Sequence, residues 1–299
     1  MERFSGNPIL HPIAEHPWES RGVLNAGVLY YKGKIHIFYR AFGNDNISRI
    51  GYATSTDGFH IDTRLSNPIF EPAKDTELSG VEDPRVVKCE KQLLMTYTAV
   101  REYAHRLDFQ VSLTSLGLED FEKWRWNWGV RKLPFPGIRN KDAVMFPKKV
   151  NGRYVMLHRI EPDLCIAYSQ NLDSWCDIRC IMKPRVEGWD DMKIGAAGTP
   201  FEVSEGWLSL YHGVDLNNIY HLGVMLMDKN NPEQILYRST NPVLSPQADY
   251  ERFGKVPNVV FSCGDALVDD TLFVYYGGSD SSLNVATIPL DKLLSTIIR

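Results

Sequence analysis

The stretch GWLSLYHG at residues 206–213 sets the pattern on which the fold prediction rests. A turn residue leads into an apolar strand, and the strand ends in an aromatic or polar pair. Four other stretches repeat this pattern: GKIHIFYR at 33–40, KQLLMTYT at 91–98, GRYVMLHR at 152–159 and DTLFVYYG at 270–277. The ends of the five strands lie about 53 to 64 residues apart, which is near the length of a four-stranded propeller blade.

Each copy has the same neighbours along the chain. A second strand is predicted before each copy, at 28–31, 85–88, 146–150, 200–203 and 263–268. A third strand follows two of the copies, at 50–55 and 164–169. Five such meanders predict an all-β fold, a single five-bladed β-propeller domain over residues 1–299, with polar strand ends around a central channel. The alternative is a pair of β-sandwiches, which we disfavour because no linker rich in Pro, Gly and Ser divides the chain.

Helical periodicity is almost absent from the sequence. A short C-terminal helix is predicted at about 290–298, where Pro289 suits the first helical position, and another at 118–123. The run WRWNW at 124–128 alternates, so a strand there would point all three indoles to one side. We expect that strand to bury the indoles between blades, and only Trp128 is a candidate for stacking on a sugar.

Composition limits the classes of partner. The chain has 299 residues, 43% of them hydrophobic, with 33 Lys and Arg against 37 Asp and Glu. The formal net charge of −4, without a long basic run, gives no electrostatic reason to expect nucleic acid or an anionic membrane as partner. The N-terminal segment lacks a continuous apolar run, and no window approaches the roughly 18 apolar residues of a membrane span. We therefore expect a cytoplasmic protein.

The five cysteines form no metal-binding pattern. They stand at 89, 165, 176, 180 and 263, and only Cys176 and Cys180 are close in sequence. A structural zinc site needs two such pairs of Cys or His ligands. The sequence therefore predicts reduced thiols and no bound metal.

The stretch SGVEDPR at 79–85 carries the best single candidate for catalysis. Pro84 fixes its own φ and restricts the backbone of Asp83, so the carboxylate is held in a rigid turn. A carboxylate held in this way can serve as a general acid. The structural alternative is a turn in which Asp83 caps local N–H groups and Arg85 pairs with a neighbouring glutamate.

Eight short motifs follow one another in a characteristic order. They are EDPR at 82–85, MTYT at 95–98, NKDAVMFP at 140–147, GRYVMLHR at 152–159, KIGA at 193–196, GWLSLYHGVD at 206–215, VPNVVF at 256–261 and YYGGSD at 275–280. From about Asn7 to Ile288 the chain thus resembles glycoside hydrolase family 130, the β-mannoside phosphorylases and related enzymes. Each motif alone is weak, but eight in order are specific, and the fold of that family is the five-bladed propeller predicted above.

The resemblance implies a reaction and a set of site residues. Asp83 takes the place of the single catalytic acid, whose proton passes through a hydroxyl of the bound mannose while inorganic phosphate attacks the anomeric carbon from the opposite face. A β-mannoside would thereby yield α-mannose 1-phosphate. The implied phosphate ligands are Lys141, Arg159, Lys193 and His212. The candidates for holding mannose are Arg40, Asn44, Asp45, Arg49, Glu82, Asp142, Tyr220 and Asp280.

The implied phosphate site also agrees with the positions of its residues in the repeats. Its four cationic candidates come from three blades and stand at strand ends or inter-blade loops, so they can converge only around the axis. Each also has a plain alternative. Arg159 could pair with Glu161, Lys193 could be a solvated loop residue, and His212 could be a hydrogen-bonded rim histidine.

The number of catalytic groups separates phosphorolysis from hydrolysis. An inverting hydrolase needs a second carboxylate as base, about 6.5–9.5 Å from the acid, whereas phosphate is itself a nucleophile. The retained cations favour phosphorolysis, and Glu187 and Asp190 are the candidate bases that keep a β-mannoside hydrolase open. A mannosyltransferase of the same family and a non-enzymatic sugar-binding propeller also stay open.

Some residues depart from the family pattern and place the leaving-group side in doubt. They are His221, the turn AGTP at 197–200, and Asp265, where a small residue is usual. The segments 181–185 and 214–220 look closer to enzymes acting on β-1,2 linkages than on β-1,4 linkages. The expected partners are a β-linked manno-oligosaccharide and inorganic phosphate as co-substrate, without a cofactor, and a homo-oligomer is left open.

Overall fold

Five antiparallel sheets form the blades of a propeller in the computed structural model, which describes residues 1–297 apart from the side chain of Tyr103. The strands in this part of the chain are β1 (Glu2–Arg3), β2 (Gly22–Tyr31), β3 (Lys34–Phe42), β4 (Arg49–Ser55), β5 (Thr63–Arg64), β6 (Gly80–Cys89), β7 (Gln92–Tyr103), β8 (Arg106–Gly117), β9 (Lys141–Met145), β10 (Tyr154–Ile160), β11 (Asp163–Ser169), β12 (Trp175–Met182), β13 (Lys193–Ala196), β14 (Phe201–Val203), β15 (Gly206–Val214), β16 (Tyr220–Met227), β17 (Ile235–Arg238), β18 (Val260–Val268), β19 (Thr271–Gly278) and β20 (Ser282–Pro289). The helices are α1 (Leu118–Glu122), α2 (Asp249–Arg252) and α3 (Leu290–Ser295), with 3₁₀ turns at Pro17–Glu19 and Asp75–Glu77. The predicted all-β, five-bladed propeller is confirmed, and the pair of β-sandwiches is wrong.

The ring closes through the N-terminal strand. Blades 1 to 4 consist of β2–β5, β6–β8, β9–β12 and β13–β17, and blade 5 combines β18–β20 with β1. In blade 5, Glu2 lies opposite Thr287 and Arg3 opposite Ala286, so both ends of the chain share one sheet. The inner strands contact one another in turn, from β2 to β6, β9 and β13, and β18 returns to β2. This arrangement leaves the first strand of each blade facing the axis.

The five repeated stretches are the second strands of the five blades, namely β3, β7, β10, β15 and β19. The predicted preceding strand is wrong in blade 3, because residues 146–150 form no strand apart from an isolated bridge at Val150, and the inner strand is β9. Phe146 follows the end of β9, where its N–H still donates to the backbone oxygen of Val155, and its side chain is buried against Trp207 with ring centroids 5.0 Å apart. In blade 4 the predicted strand is the short β14, while β13 takes the inner position.

Apolar side chains fill the spaces between neighbouring blades. Leu157 of blade 3, for example, shares a buried cluster with Tyr211 of blade 4, and Leu208 of blade 4 shares the next with Val274 of blade 5. Equivalent clusters join the other three pairs of blades. Because each blade buries both faces, the alternating residues of the repeated strands are apolar on both sides, and the site must be built from strand ends and loops.

The two predicted helices are present as α1 and α3, although α3 ends at Ser295 and Ile298 lies outside the described residues. Pro289 is the residue before α3 rather than its first residue. Within residues 1–297, no helix has the length and apolar character needed to cross a membrane. The predicted strand at 124–128 is wrong, because this segment has no regular secondary structure. It remains close to the sheets because Trp128 donates a hydrogen bond from Nε1 to the backbone oxygen of Ile69.

Candidate active site

Breaks in strand register place three polar residues at the channel. Asn25 on β2, Asp83 on β6 and Asp142 on β9 have φ values of 46°, 53° and 54°. Asparagine and aspartate adopt this left-handed conformation more readily than other non-glycine residues. The strand pairing is irregular at each of the three positions, as expected for β-bulges, which redirect a side chain out of the sheet. The apolar strands can thereby present polar groups to the axis.

Two adjoining pockets open around these residues. The inner pocket, of about 150 Å³, is lined by Asn25, Arg40, Asp83, Lys141, Asp142, Arg159, Tyr220, Val256, Val259, Phe261 and Asp280. The outer pocket, of about 470 Å³, is lined by Phe109, Ile138, Arg139, Asn140, Lys141, Arg159, Ile160, Glu161, Lys193 and Tyr220. Lys141, Arg159 and Tyr220 line both pockets, so one ligand or two neighbouring ligands can occupy the pair.

Asp83 lies in the inner pocket and is 5% exposed. Its Oδ1 accepts hydrogen bonds from Nδ2 of Asn25 at 2.9 Å and from Nη1 of Arg40 at 3.2 Å. Burial acts to raise the pKa of Asp83, but Arg40, Lys141 and the Asn25 hydrogen bond outweigh it and hold the pKa below its usual value. In these surroundings the carboxyl is therefore ionised at neutral pH.

Arg40 joins Asp83 to Glu82. Nη2 of Arg40 lies 2.5 Å from Oε1 of Glu82, and its Nε donates to Oγ of Ser48 at 2.9 Å. The other oxygen of Glu82 lies 3.6 Å from Nζ of Lys141. This charge network holds Glu82 and Asp83 in fixed orientations at the wall of the pocket.

Asp142 is the centre of a second buried network. Its Oδ2 lies 2.8 Å from Nη1 of Arg159 and 3.4 Å from Nε2 of His212, and its Oδ1 accepts from Nη2 of Arg85 at 3.3 Å. Burial acts to raise the pKa of Asp142, but Arg159, His212 and Arg85 hold it well below its usual range. Asp142 thus orients Arg159 and does not present a free carboxylate to a sugar.

The four predicted phosphate ligands come from blades 3 and 4 rather than from three blades, and His212 is placed differently from the other three. It has no exposed surface, and it lies behind Arg159, with Nε2 3.3 Å from Nη1 of that side chain. Burial, opposed by Asp142, lowers the pKa of His212, so the ring is neutral. In this arrangement His212 can affect an anion in the pocket only through Arg159 and Asp142.

The outer pocket carries an excess of positive charge. Arg139, Lys141, Arg159 and Lys193 line it, whereas Glu161 is its only carboxylate among the described residues. Glu161 compensates weakly, since its Oε1 lies 3.9 Å from Nζ of Lys193. Such a pocket can attract and bind a dianion through charge-assisted hydrogen bonds.

The predicted mannose ligands divide into two groups. Arg40, Glu82, Asp142, Tyr220 and Asp280 lie at the inner pocket or in its charge networks. Asp280 makes no hydrogen bond within the described part of the chain, so it is free to accept one from a sugar hydroxyl. Burial, opposed by Arg40, raises its pKa.

The second group lies in the connection between β3 and β4 and at the start of β4. It comprises Asn44, Asp45 and Arg49, none of which lines either pocket. Arg49 instead pairs with Asp45 at 2.9 Å and with Glu71 at 3.1 Å. The structure therefore does not bring these three residues to the site.

The two candidate bases for hydrolysis also lie outside both pockets. Asp190 is completely buried and binds Arg185, Arg238 and Tyr211, so it is a structural anchor. Glu187 is exposed and lines neither pocket. No group of three His, Cys, Asp or Glu residues in the described chain could hold a metal ion.

Sequence reasoning missed Asn25, whose signal was an asparagine interrupting the apolar strand VLNAGV at 23–28. It also missed the apolar wall of the inner pocket, formed by Val256, Val259 and Phe261, and Phe109, whose ring lies 3.8 Å below Nζ of Lys141. No local signal marks these apolar residues, since buried positions and pocket-lining positions carry the same residue types.

Comparison with known proteins gives consistent matches over the full length. A family profile for glycoside hydrolase family 130, described as beta-1,4-mannooligosaccharide phosphorylase, matches residues 2–299. The chain is 40% identical over 302 residues to a 1,2-beta-oligomannan phosphorylase of Thermoanaerobacter sp. (strain X514), and the alignment covers 98% of each protein. A beta-1,2-mannobiose phosphorylase of the same strain is 41% identical over 308 residues, with 98% of each covered. The solved beta-1,2-mannobiose phosphorylase of Listeria innocua, in complex with beta-1,2-mannobiose, superposes with a TM-score of 0.88 at 28% identity, covering 99% of this chain and 98% of that one.

Proposed function

This chain belongs to glycoside hydrolase family 130, and from that membership we propose that it cleaves β-1,2-linked mannosides with inorganic phosphate to give α-mannose 1-phosphate. The enzyme is a glycoside phosphorylase acting on β-mannosides. The β-1,2 linkage is favoured over the β-1,4 linkage in the family description because the two relatives of about 40% identity are both named for β-1,2 substrates.

One observation carries the choice of phosphorolysis. The acid Asp83 lies in the inner pocket, and the adjoining outer pocket has four cations against a single carboxylate among the described residues. A hydrolase needs a carboxylate facing the acid to activate water, whereas a phosphorylase needs cations to hold phosphate. The distribution of charge matches the second requirement.

The residues have distinct roles in the proposed mechanism. Asp83 is the acid, and the mannose unit occupies the inner pocket with Asp280 accepting from one of its hydroxyls. Lys141, Arg159 and Lys193 bind phosphate at the border of the two pockets. His212 is a positioning residue, because it contacts Arg159 and lines neither pocket. Asp142 lines the inner pocket, but its carboxylate is paired with Arg159, so it also positions that side chain.

The proton balance follows from the charges. As an oxygen of hydrogen phosphate bonds to the anomeric carbon, the bond between that carbon and the glycosidic oxygen breaks, and this leaving oxygen gains a proton through a mannose hydroxyl from protonated Asp83. The proton that phosphate releases on forming the new bond returns to Asp83, so the acid is restored and charge is conserved. Bound phosphate partly neutralises Lys141, which is one of the groups that hold the pKa of Asp83 down. Phosphate binding therefore raises the pKa of Asp83 and favours the protonated acid.

The proposed linkage is tested by comparing kcat/KM for β-1,2-mannobiose and β-1,4-mannobiose at the same phosphate concentration. The β-1,2 substrate should be preferred by at least about tenfold, a difference of about 1.4 kcal/mol. Asp83→Asn is the control, and it should lose about 10²–10⁴-fold in kcat with the fold retained. Equal rates, or a preference for β-1,4-mannobiose, would reject the proposed linkage without rejecting phosphorolysis.

A further inference from the structure

A separate cavity lies at the other end of the central channel. Its volume is about 280 Å³, and all five blades contribute to it: β2, β6 and β18 directly, with Pro147 after β9 and Pro200 after β13. On β18, Phe261 lines the inner pocket and Asp265 lines this cavity, four residues further along. At about 3.3 Å per residue of strand, the two sites are about 13 Å apart.

The cavity contains a carboxyl group without a partner. Asp265 is 7% exposed, and its side chain makes no hydrogen bond or ion pair with any residue in the described part of the chain. Its Oδ2 is fully enclosed. Gly198 packs against this oxygen so closely that a Cβ at position 198 would overlap it. Buried carboxyl oxygens in proteins nearly always have a partner, so an unpaired one beside a cavity indicates a ligand site.

The other walls restrict the ligand's chemistry. Most of the lining is apolar, as at Val28, Val86 and Leu267, and the other titratable groups there are Tyr30 and Lys88. Burial alone raises the pKa of Asp265 to about 8, so Lys88 is not close enough to compensate its charge. A metal ion is disfavoured because hard cations require about six oxygen ligands and the apolar walls do not supply them.

We propose that this cavity binds a small organic cation, a primary ammonium group on a compact apolar body. The ammonium donates hydrogen bonds to the carboxylate of Asp265, and the apolar body covers the walls formed by the inner strands. An anion would be repelled by the ionised carboxylate, and a neutral hydroxyl would pair with the protonated carboxyl without displacing its proton. At neutral pH the protonated carboxyl releases one proton as the ammonium binds, so charge is conserved.

The test is calorimetric titration of the full chain with benzylammonium chloride, with saturating phosphate and mannose present to occupy the active site. We expect saturable binding that releases about one proton at pH 7, measured from two buffers of different ionisation enthalpy. Affinity should rise between pH 6 and pH 8 as Asp265 ionises. Benzyl alcohol, which has the same shape without the charge, should bind at least about tenfold more weakly.

The variant Asp265→Asn should reduce the affinity for benzylammonium at least about tenfold and leave phosphorolysis unchanged. Asp265→Ser is the second variant, for use if circular dichroism shows that the first does not fold. Proton release measured with the unmodified protein tests the proposal without any variant. The proposal is overturned if benzylammonium shows no saturable binding, if benzyl alcohol binds as tightly, or if binding persists in a folded Asp265 variant.

Discussion

Nδ2 of Asn25 donates a hydrogen bond of 2.9 Å to Oδ1 of Asp83, and this contact joins the inner strands of blades 1 and 2 at the proposed acid. Both residues have left-handed backbone conformations, so each side chain leaves its sheet at a break in register. Gly277 of blade 5 lies against Oδ1 of Asn25, where a Cβ would overlap it, so glycine at this position leaves room for the amide. Three blades thus determine the position of one carboxyl group.

Replacing Asn25 by alanine should lower kcat by about 10- to 100-fold, the scale of one charge-assisted hydrogen bond of 1.5–3 kcal/mol. Burial acts to raise the pKa of Asp83, and loss of the amide removes one of the groups that oppose it. The alkaline limb of the kcat profile should therefore move to higher pH. Asn151→Ala is the matched control, since Asn151 is exposed and also has a positive φ, of 49°. An unshifted alkaline limb would show that Asn25 does not tune the acid.

Lys193→Ala should act on phosphate rather than on the sugar. Loss of a charge-assisted contact costs about 1.5–3 kcal/mol, which raises KM for phosphate by about 10- to 100-fold. The measurement is a phosphate titration at saturating β-1,2-mannobiose, with the exposed Lys183→Ala as control. If KM for phosphate is unchanged while KM for the sugar rises, Lys193 does not belong to the phosphate site.

Gly195→Ala tests the network behind Arg159. A Cβ at this position would lie 2.5 Å from Cε1 of His212 and 2.6 Å from Oδ2 of Asp142, so one of them must move. Overpacking of this kind costs about 1–3 kcal/mol of stability, and displacement of Asp142 should release Arg159 and raise KM for phosphate. Gly117→Ala is the control, because a Cβ there meets no atom within 4 Å. An unchanged KM for phosphate in the folded variant would separate this network from phosphate binding.

Asp265 should make the protein less stable as pH rises. Its pKa is raised by burial from 3.8 to about 8. Between these two values the unfolded chain has released the proton that the folded chain retains, so the free energy of unfolding falls with increasing pH. The contribution is fully present below about pH 4 and is lost by about pH 8. Asp265→Asn should remove this dependence of the free energy of unfolding on pH. Urea denaturation of both proteins at pH 5, 6.5 and 8 is the measurement, and the variant should become increasingly more stable than the unmodified protein as pH rises. A constant difference between the two proteins would place the pKa outside this range.

The repeated strands could be predicted because blade packing constrains every residue in them. GWLSLYHG and its four relatives are apolar on both faces, since each blade is covered on two sides, and this requirement recurs once per blade. The strand at 146–150 was mispredicted because burial of Phe146 against Trp207 needs an apolar side chain without requiring a sheet. An apolar residue type indicates that a side chain is buried, but it does not show that the backbone there belongs to a strand.

The motif EDPR marked Asp83 as a candidate, but it did not predict the backbone there. Proline favours an extended conformation for the residue before it, whereas Asp83 has a φ of 53° at a break in the register of β6. The distance of each side chain from the channel axis could not be predicted. Arg159 and His212 both stand near strand ends, yet only the first lines the pockets, because the order of side chains from the axis depends on packing across blades. The same reason explains why Asn44 and Arg49 do not line the pockets.

The central claim is that this enzyme transfers mannose to phosphate rather than to water. The direct measurement is incubation with β-1,2-mannobiose with and without inorganic phosphate, followed by phosphorus NMR and assay of free mannose. We predict α-mannose 1-phosphate and mannose in equal amounts with phosphate, and no release of mannose without it. Release of mannose at the same rate in both incubations, without mannose 1-phosphate, would contradict the account.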